Sequence, residues 1–154
     1  MTDLKTEFLF DIKADLDRPG IINIGTTPHG NRRIIYVTGG SLEGPNIKAT
    51  VLPGGGDWIL GRPDGVNVLD VRAAARTDDG DIIYTYCRGY LIIRPDLLQR
   101  IYQGGDVDPS EYYFRTTPVY ETASEKYSWL NKLVTVGIGQ MLPTGVAYKV
   151  YAIL

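Results

Sequence analysis

Glycine and proline interrupt this chain so often that its apolar stretches stay short, and the stretches between them tend to alternate apolar with polar side chains. Period-two alternation sends successive side chains to opposite faces of a strand, so the pattern specifies half-buried β-structure. The opening segment, residues 7–17, sets Phe8, Phe10, Ile12, Ala14 and Leu16 against Asp11, Lys13, Asp15 and Asp17. Further strands are expected over 33–38, 46–52, 58–60, 66–77, 82–88, 112–121, 132–141 and 146–153. Breakers separate them: 26–31 reads as a loop, Gly39-Gly40 as a strand end, and Arg62-Pro63-Asp64-Gly65 and Pro143-Thr144-Gly145 as hairpin turns. Helix signals gather at 95–102, where Pro95 stands near the start and Gly104-Gly105 just past the end; 124–131 suits a turn or short helix. About eight or nine short strands with one or two short helices make a mainly β fold. An antiparallel barrel is expected because closure removes the edges, with a two-sheet sandwich as the alternative.

The 154 residues match a single domain, 1–154, large enough to bury a real core. Sixteen basic and 18 acidic side chains, a formal charge of −2 and no block of like charge argue against nucleic-acid or membrane partners. A polar N-terminus without an apolar leader points to the cytoplasm. Cys87 is the one cysteine and His29 the one histidine, too few for a disulfide or a structural zinc site. His29 reads as a solvated loop residue and Cys87 as a buried inert thiol. Pro53-Gly54-Gly55-Gly56 lacks the lysine and following helix of a phosphate loop, and the acids at 78–79 and 106–108 are too few for calcium. No cofactor is expected.

Asp78-Asp79-Gly80 reads as a three-residue hairpin loop with glycine at its left-handed position, and this sets a register. With Thr77 opposite Asp81, Asp70 faces Arg88, Arg72 faces Tyr86 and Ala74 faces Tyr84. The other face pairs Val71 with Cys87, Ala73 with Thr85 and Ala75 with Ile83. The pairing leaves open which face lies inside.

Six runs occur in order along the chain: Gly39 to Pro45, Leu52 to Trp58, Arg62 to Gly65, Arg76 to Gly80, Tyr112 to Pro118 and Tyr127 to Asn131. Together they resemble the domain of unknown function 3237, also called uncharacterised protein family 0311. The resemblance covers nearly the whole chain and implies a calycin-like antiparallel barrel, but no activity.

Given that barrel, the ionic and aromatic face is expected to line the lumen, since a ligand-holding lumen needs a few polar groups among aromatic walls. Asp70, Arg72, Tyr86 and Arg88 are the expected catalytic residues: a carboxylate takes a proton while neighbouring donors stabilise the developing oxyanion. Asp57, Trp58, Tyr84, Tyr113, Arg115, Trp129 and Asn131 are the expected ligand contacts. The alternative is that charges and tyrosines face water over an alanine-packed core. The expected function is cofactor-independent acid/base chemistry, of isomerase, lyase, cyclase or hydratase type, on a small, partly apolar, oxygenated molecule. A non-catalytic carrier or sensor is the alternative. A third reading is a homodimer or higher homo-oligomer joined through the small-residue face.

Overall fold

The spine of the wall is a 15-residue strand, β3 (Gly30–Gly44), flanked on each side by two shorter strands placed end to end. The computed structural model describes residues 3–154. Around β3 stand β1 (Thr6–Leu16), β2 (Ile22–Thr27), β4 (Ile47–Val51), β5 (Gly56–Gly61), β6 (Asn67–Thr77), β7 (Ile82–Ile92), β8 (Tyr113–Thr122), β9 (Thr135–Leu142) and β10 (Gly145–Ile153). One α-helix, α1 (Pro95–Tyr102), and two 3-10 turns, Pro109–Glu111 and Ser128–Lys132, complete the described elements.

Antiparallel neighbours run β1-β10-β9-β8-β7-β6-β4-β3, and β3 pairs back onto β1, so eight strands close into a barrel rather than a sandwich. Strand β5 fills the gap between β3 and β6 beyond the end of β4, and β2 flanks β3 where β1 leaves it. The expected break at Gly39-Gly40 is a bulge instead: the pairing passes from Val37 to Gly39 and skips Thr38. Gly40 has φ +137°, and a Cβ there would strike the Lys13 carbonyl. The bulge bends β3 onto β1 and moves the inward positions from Ile35 and Val37 to Leu42. The expected 26–31 loop is a tight hairpin between β2 and β3, in which Thr27 pairs with Gly30.

Two clusters fill the barrel. At one end α1 lays Leu97 and Ile101 against Ile35, Ile59, Leu69, Leu91, Phe114 and Met141. Pro95 opens this helix and Gly104, at φ +82°, follows its last turn. At the other end Phe10, Leu42, Ile83, Tyr120 and Val150 pack beneath Tyr127 and Leu130. In β1 the expected inward set holds from Phe10 onward; a bulge between Phe8 and Phe10 leaves Phe8 exposed.

Candidate functional site

The β6–β7 hairpin has the register read from its turn. Asp70 pairs with Arg88, Arg72 with Tyr86 and Val71 with Cys87, and Gly80 stands at φ +90°. Its orientation is the reverse of the lumen expectation. Leu69, Ala75, Ile83, Cys87 and Leu91 are buried, whereas Arg72, Tyr84 and Arg88 are exposed and Asp70 and Tyr86 half-buried on the outer face. The physical reason is solvation: Asp70, Arg72 and Arg88 keep their charges in water on the outside, while Leu69, Ala75, Ile83 and Leu91 of the other face pack into the apolar core. The small-residue face therefore lines the lumen and is not available as a subunit interface.

Outside, Asp70 and Arg72 form a loose ion pair at 3.7 Å, and the Arg72 guanidinium lies 4.9 Å from the Tyr86 ring and 6.0 Å from the Trp58 ring. Tyr113 and Arg115 stand further along the same outer face, 5.4 Å apart in cation–π contact. Trp129 packs half-buried against the second core cluster. Asn131 clamps Thr122, accepting from its amide at 2.8 Å and donating to its carbonyl at 2.9 Å, which is a turn role. Of the expected site residues, only Asp57 faces the lumen.

Asp57 gets there through the alternation of β5, which sends Asp57 and Ile59 inward and Trp58 and Leu60 outward. Its carboxylate lines a cavity of about 140 Å³ with Arg18, Arg33, Asn67, Phe114, Met141 and Tyr148. Oδ1 accepts the Asp70 amide at 3.0 Å, which leaves Oδ2 for the cavity. Burial pushes the Asp57 carboxyl up to about 7; the Asp70 carboxylate adds to the rise, while the Asp70 amide and Arg33 oppose it. A carboxyl held there exchanges a proton readily at neutral pH.

Arg33 donates to Asn67 Oδ1 at 2.9 Å, and Asn67 donates to the Leu91 carbonyl at 3.2 Å. Tyr148 stands edge-on to Phe114, ring centres 5.3 Å apart, and borders a second, apolar hollow of about 60 Å³ lined by Ala73, Cys87, Pro118 and Tyr120. Burial raises the Tyr148 phenol well above its ordinary value. It raises the Cys87 thiol to about 12, an inert thiol rather than a nucleophile. Arg18, beside Tyr102, lies where this cavity meets an outer depression bounded by Pro19, Pro143 and Thr144. Among the described residues no group of three His, Cys, Asp or Glu side chains is placed to hold a metal ion. No helix there is long and apolar enough to cross a membrane.

Residues 4–153 match the model of a protein family described as a protein of unknown function, DUF3237. The chain belongs to the DUF3237 family. A UPF0311 protein of Clostridium acetobutylicum is 36% identical over 98% of this chain and 95% of its own. Among solved structures, the conserved protein of unknown function RPA1785 from Rhodopseudomonas palustris superposes with a TM-score of 0.91 at 33% identity, covering 100% of both chains. An enzyme from Penicillium herquei matches at TM-score 0.75 and 21% identity, covering 100% of this chain and 97% of its own, a likeness of fold alone.

In this DUF3237 chain, sequence reasoning passed over Arg18, Arg33, Asn67 and Tyr148. A usable signal was present for three of them. Arg33 is in phase with Ile35 and Val37, Asn67 with Leu69 and Val71, and Tyr148 with Val146 and Val150. A polar residue in step with the apolar face of a strand is a lumen group. Arg18 carries no such mark, because it lies in the connection after β1.

Proposed function

We propose that this DUF3237 protein is a cofactor-independent acid/base enzyme acting on a small oxygenated molecule in the lumen, with Asp57 as the proton-transfer group. The observation that carries the reading is the placement of Asp57: one buried carboxyl inside a largely apolar cavity, fixed through Oδ1 and facing the space through its other oxygen. Asp57 as carboxylate takes a proton from a C–H or O–H bond of the substrate. The electron pair left behind is delocalised onto the substrate oxygen, where the Arg33 guanidinium and the Tyr148 hydroxyl are the available donors. The carboxyl then returns its proton to a different atom of the same molecule, which completes an isomerisation, an elimination or a ring closure without a co-reactant. An apolar cavity of about 150 Å³ holds a benzene ring, so a lumen of about 140 Å³ suits a single-ring substrate. That an enzyme from Penicillium herquei has the same barrel supports catalysis as an activity this fold can carry.

A carrier is the second reading, favoured by the apolar second hollow beyond Tyr148. The two separate in a hydrogen-exchange assay: small cyclic ketones and hydroxyketones are incubated with the protein in deuterium oxide and followed by proton NMR. Exchange by wild type that Asp57→Asn abolishes supports the enzyme. Ligands that bind tightly and exchange no faster than in buffer make it a carrier.

A further inference from the structure

The cavity holds more positive charge than the protein compensates. No described ion pair includes Arg18 or Arg33, and in this they resemble several arginines of the outer surface, Arg88 and Arg115 among them; what sets the two apart is where their guanidiniums lie. Both lumen arginines have Nε buried without a hydrogen-bond partner. Both are also held rigidly. Arg18 donates through Nη2 to the Leu142 and Gly145 carbonyls at 2.8 and 2.9 Å and stacks 4.1 Å from the Tyr102 ring, and Arg33 is tied to Asn67. Guanidiniums stay charged at any physiological pH, and both side chains are half-buried with Nε shut off from solvent, so each gains when a ligand brings negative charge to it. Asp57 offsets them poorly, because burial favours its neutral form. Apart from Asn67 and the phenols of Tyr102 and Tyr148, the remaining lining, with Ile35, Ile59, Leu69 and Phe114, is apolar and suits a ring rather than a bare inorganic anion.

We propose that the lumen's ligand is a small cyclic monoanion bearing a carboxylate-type oxyanion, which pairs with Arg18 and Arg33 while its ring packs against Phe114 and Tyr148. This rests on the reading of the lumen as the ligand site, and it specifies the charge of what enters. Planar oxyanions match guanidinium donors, and a ligand supplying the missing charge gains from preorganised partners.

The test compares benzoate with benzamide, nearly the same shape with and without charge, by isothermal titration calorimetry on the full chain. Benzoate is expected to bind about tenfold more tightly at pH 6, a difference that the charge-assisted pairs supply. Benzoate affinity in wild type is expected to fall between pH 6 and pH 8 as Asp57 ionises beside it. The groups facing that carboxyl are Arg33 from β3, Cys87 from β7 and Tyr148 from β10, with Arg18 and Tyr102 in the same cavity, while the Asp70 carboxylate of β6 acts on it from the other face of the wall. Asp57→Asn removes the fall and keeps the preference for benzoate. Arg18→Gln and Arg33→Gln each reduce that preference. Equal affinity for the two probes, no benzoate binding at millimolar concentration, or a preference untouched by both arginine substitutions overturns the proposal. Should either arginine variant fail to fold, the wild-type comparison and its pH dependence decide. Because Asp57→Asn keeps the anion preference while losing hydrogen exchange, the charge proposal and the acid/base reading can each fail alone.

Discussion

The Asp57 carboxylate accepts the backbone amide of Asp70 at 3.0 Å, while the two side chains lie on opposite faces of the barrel wall. One aspartate is thus sealed in the lumen by a hydrogen bond from the strand that carries the other outside. Their roles separate accordingly.

Asp70→Asn and Arg72→Gln are expected to leave ligand binding and turnover within about twofold of wild type, since surface ion pairs contribute little. Asp57→Asn is expected to abolish turnover. Single-turnover and binding measurements on the three variants check this; loss of activity in Asp70→Asn with Asp57→Asn intact would return the chemistry to the outer face.

Stability should fall as pH rises across the Asp57 titration. The native state keeps this proton up to about pH 7, whereas the unfolded chain releases it near its ordinary value of 3.8. Between those values the native state binds more protons, so unfolding becomes easier with increasing pH. A rise of that size corresponds to at most about 4 kcal/mol. Asp57→Asn should therefore match wild type near pH 4 and exceed it at pH 8 in urea unfolding. A variant less stable at pH 8 would show that the carboxylate is well accommodated.

Gly139→Ala should destabilise the protein by about 1–3 kcal/mol, the cost of overpacking a filled core. A Cβ at Gly139 lands on the Phe114 ring, which stands against Tyr148 and lines the Asp57 cavity. Ligand affinity should fall with stability. A variant that unfolds as wild type does would mean that Phe114 has room to move.

Cys87 should resist modification. With its thiol held near 12 and its side chain buried, iodoacetamide at pH 8 should label the unfolded chain and leave the native protein unlabelled over hours. Mass spectrometry of the intact chain gives the readout, and rapid native labelling would show that the inner hollow opens to solvent.

The local alternation of apolar and polar residues determined most of the strands, Pro95 and Gly104 bracketed α1, and Asp78-Asp79-Gly80 determined the β6–β7 register pair by pair. These were legible because each depends on a few neighbouring residues. Alternation says which side chains share a face and cannot say which face is inside, so the site expected around Asp70 and Arg72 was placed on the wrong side of the wall. Only closure of β3 onto β1 decided that, because it brings the face with Ala73, Ala75 and Cys87 against apolar side chains from distant strands, such as Leu42, Tyr120 and Val150, and leaves the charged face to water. The same closure gathered Arg18, Arg33, Asp57, Asn67 and Tyr148 from separate parts of the chain around one cavity. No local pattern contains that meeting, since it is a property of the tertiary structure and not of any one strand.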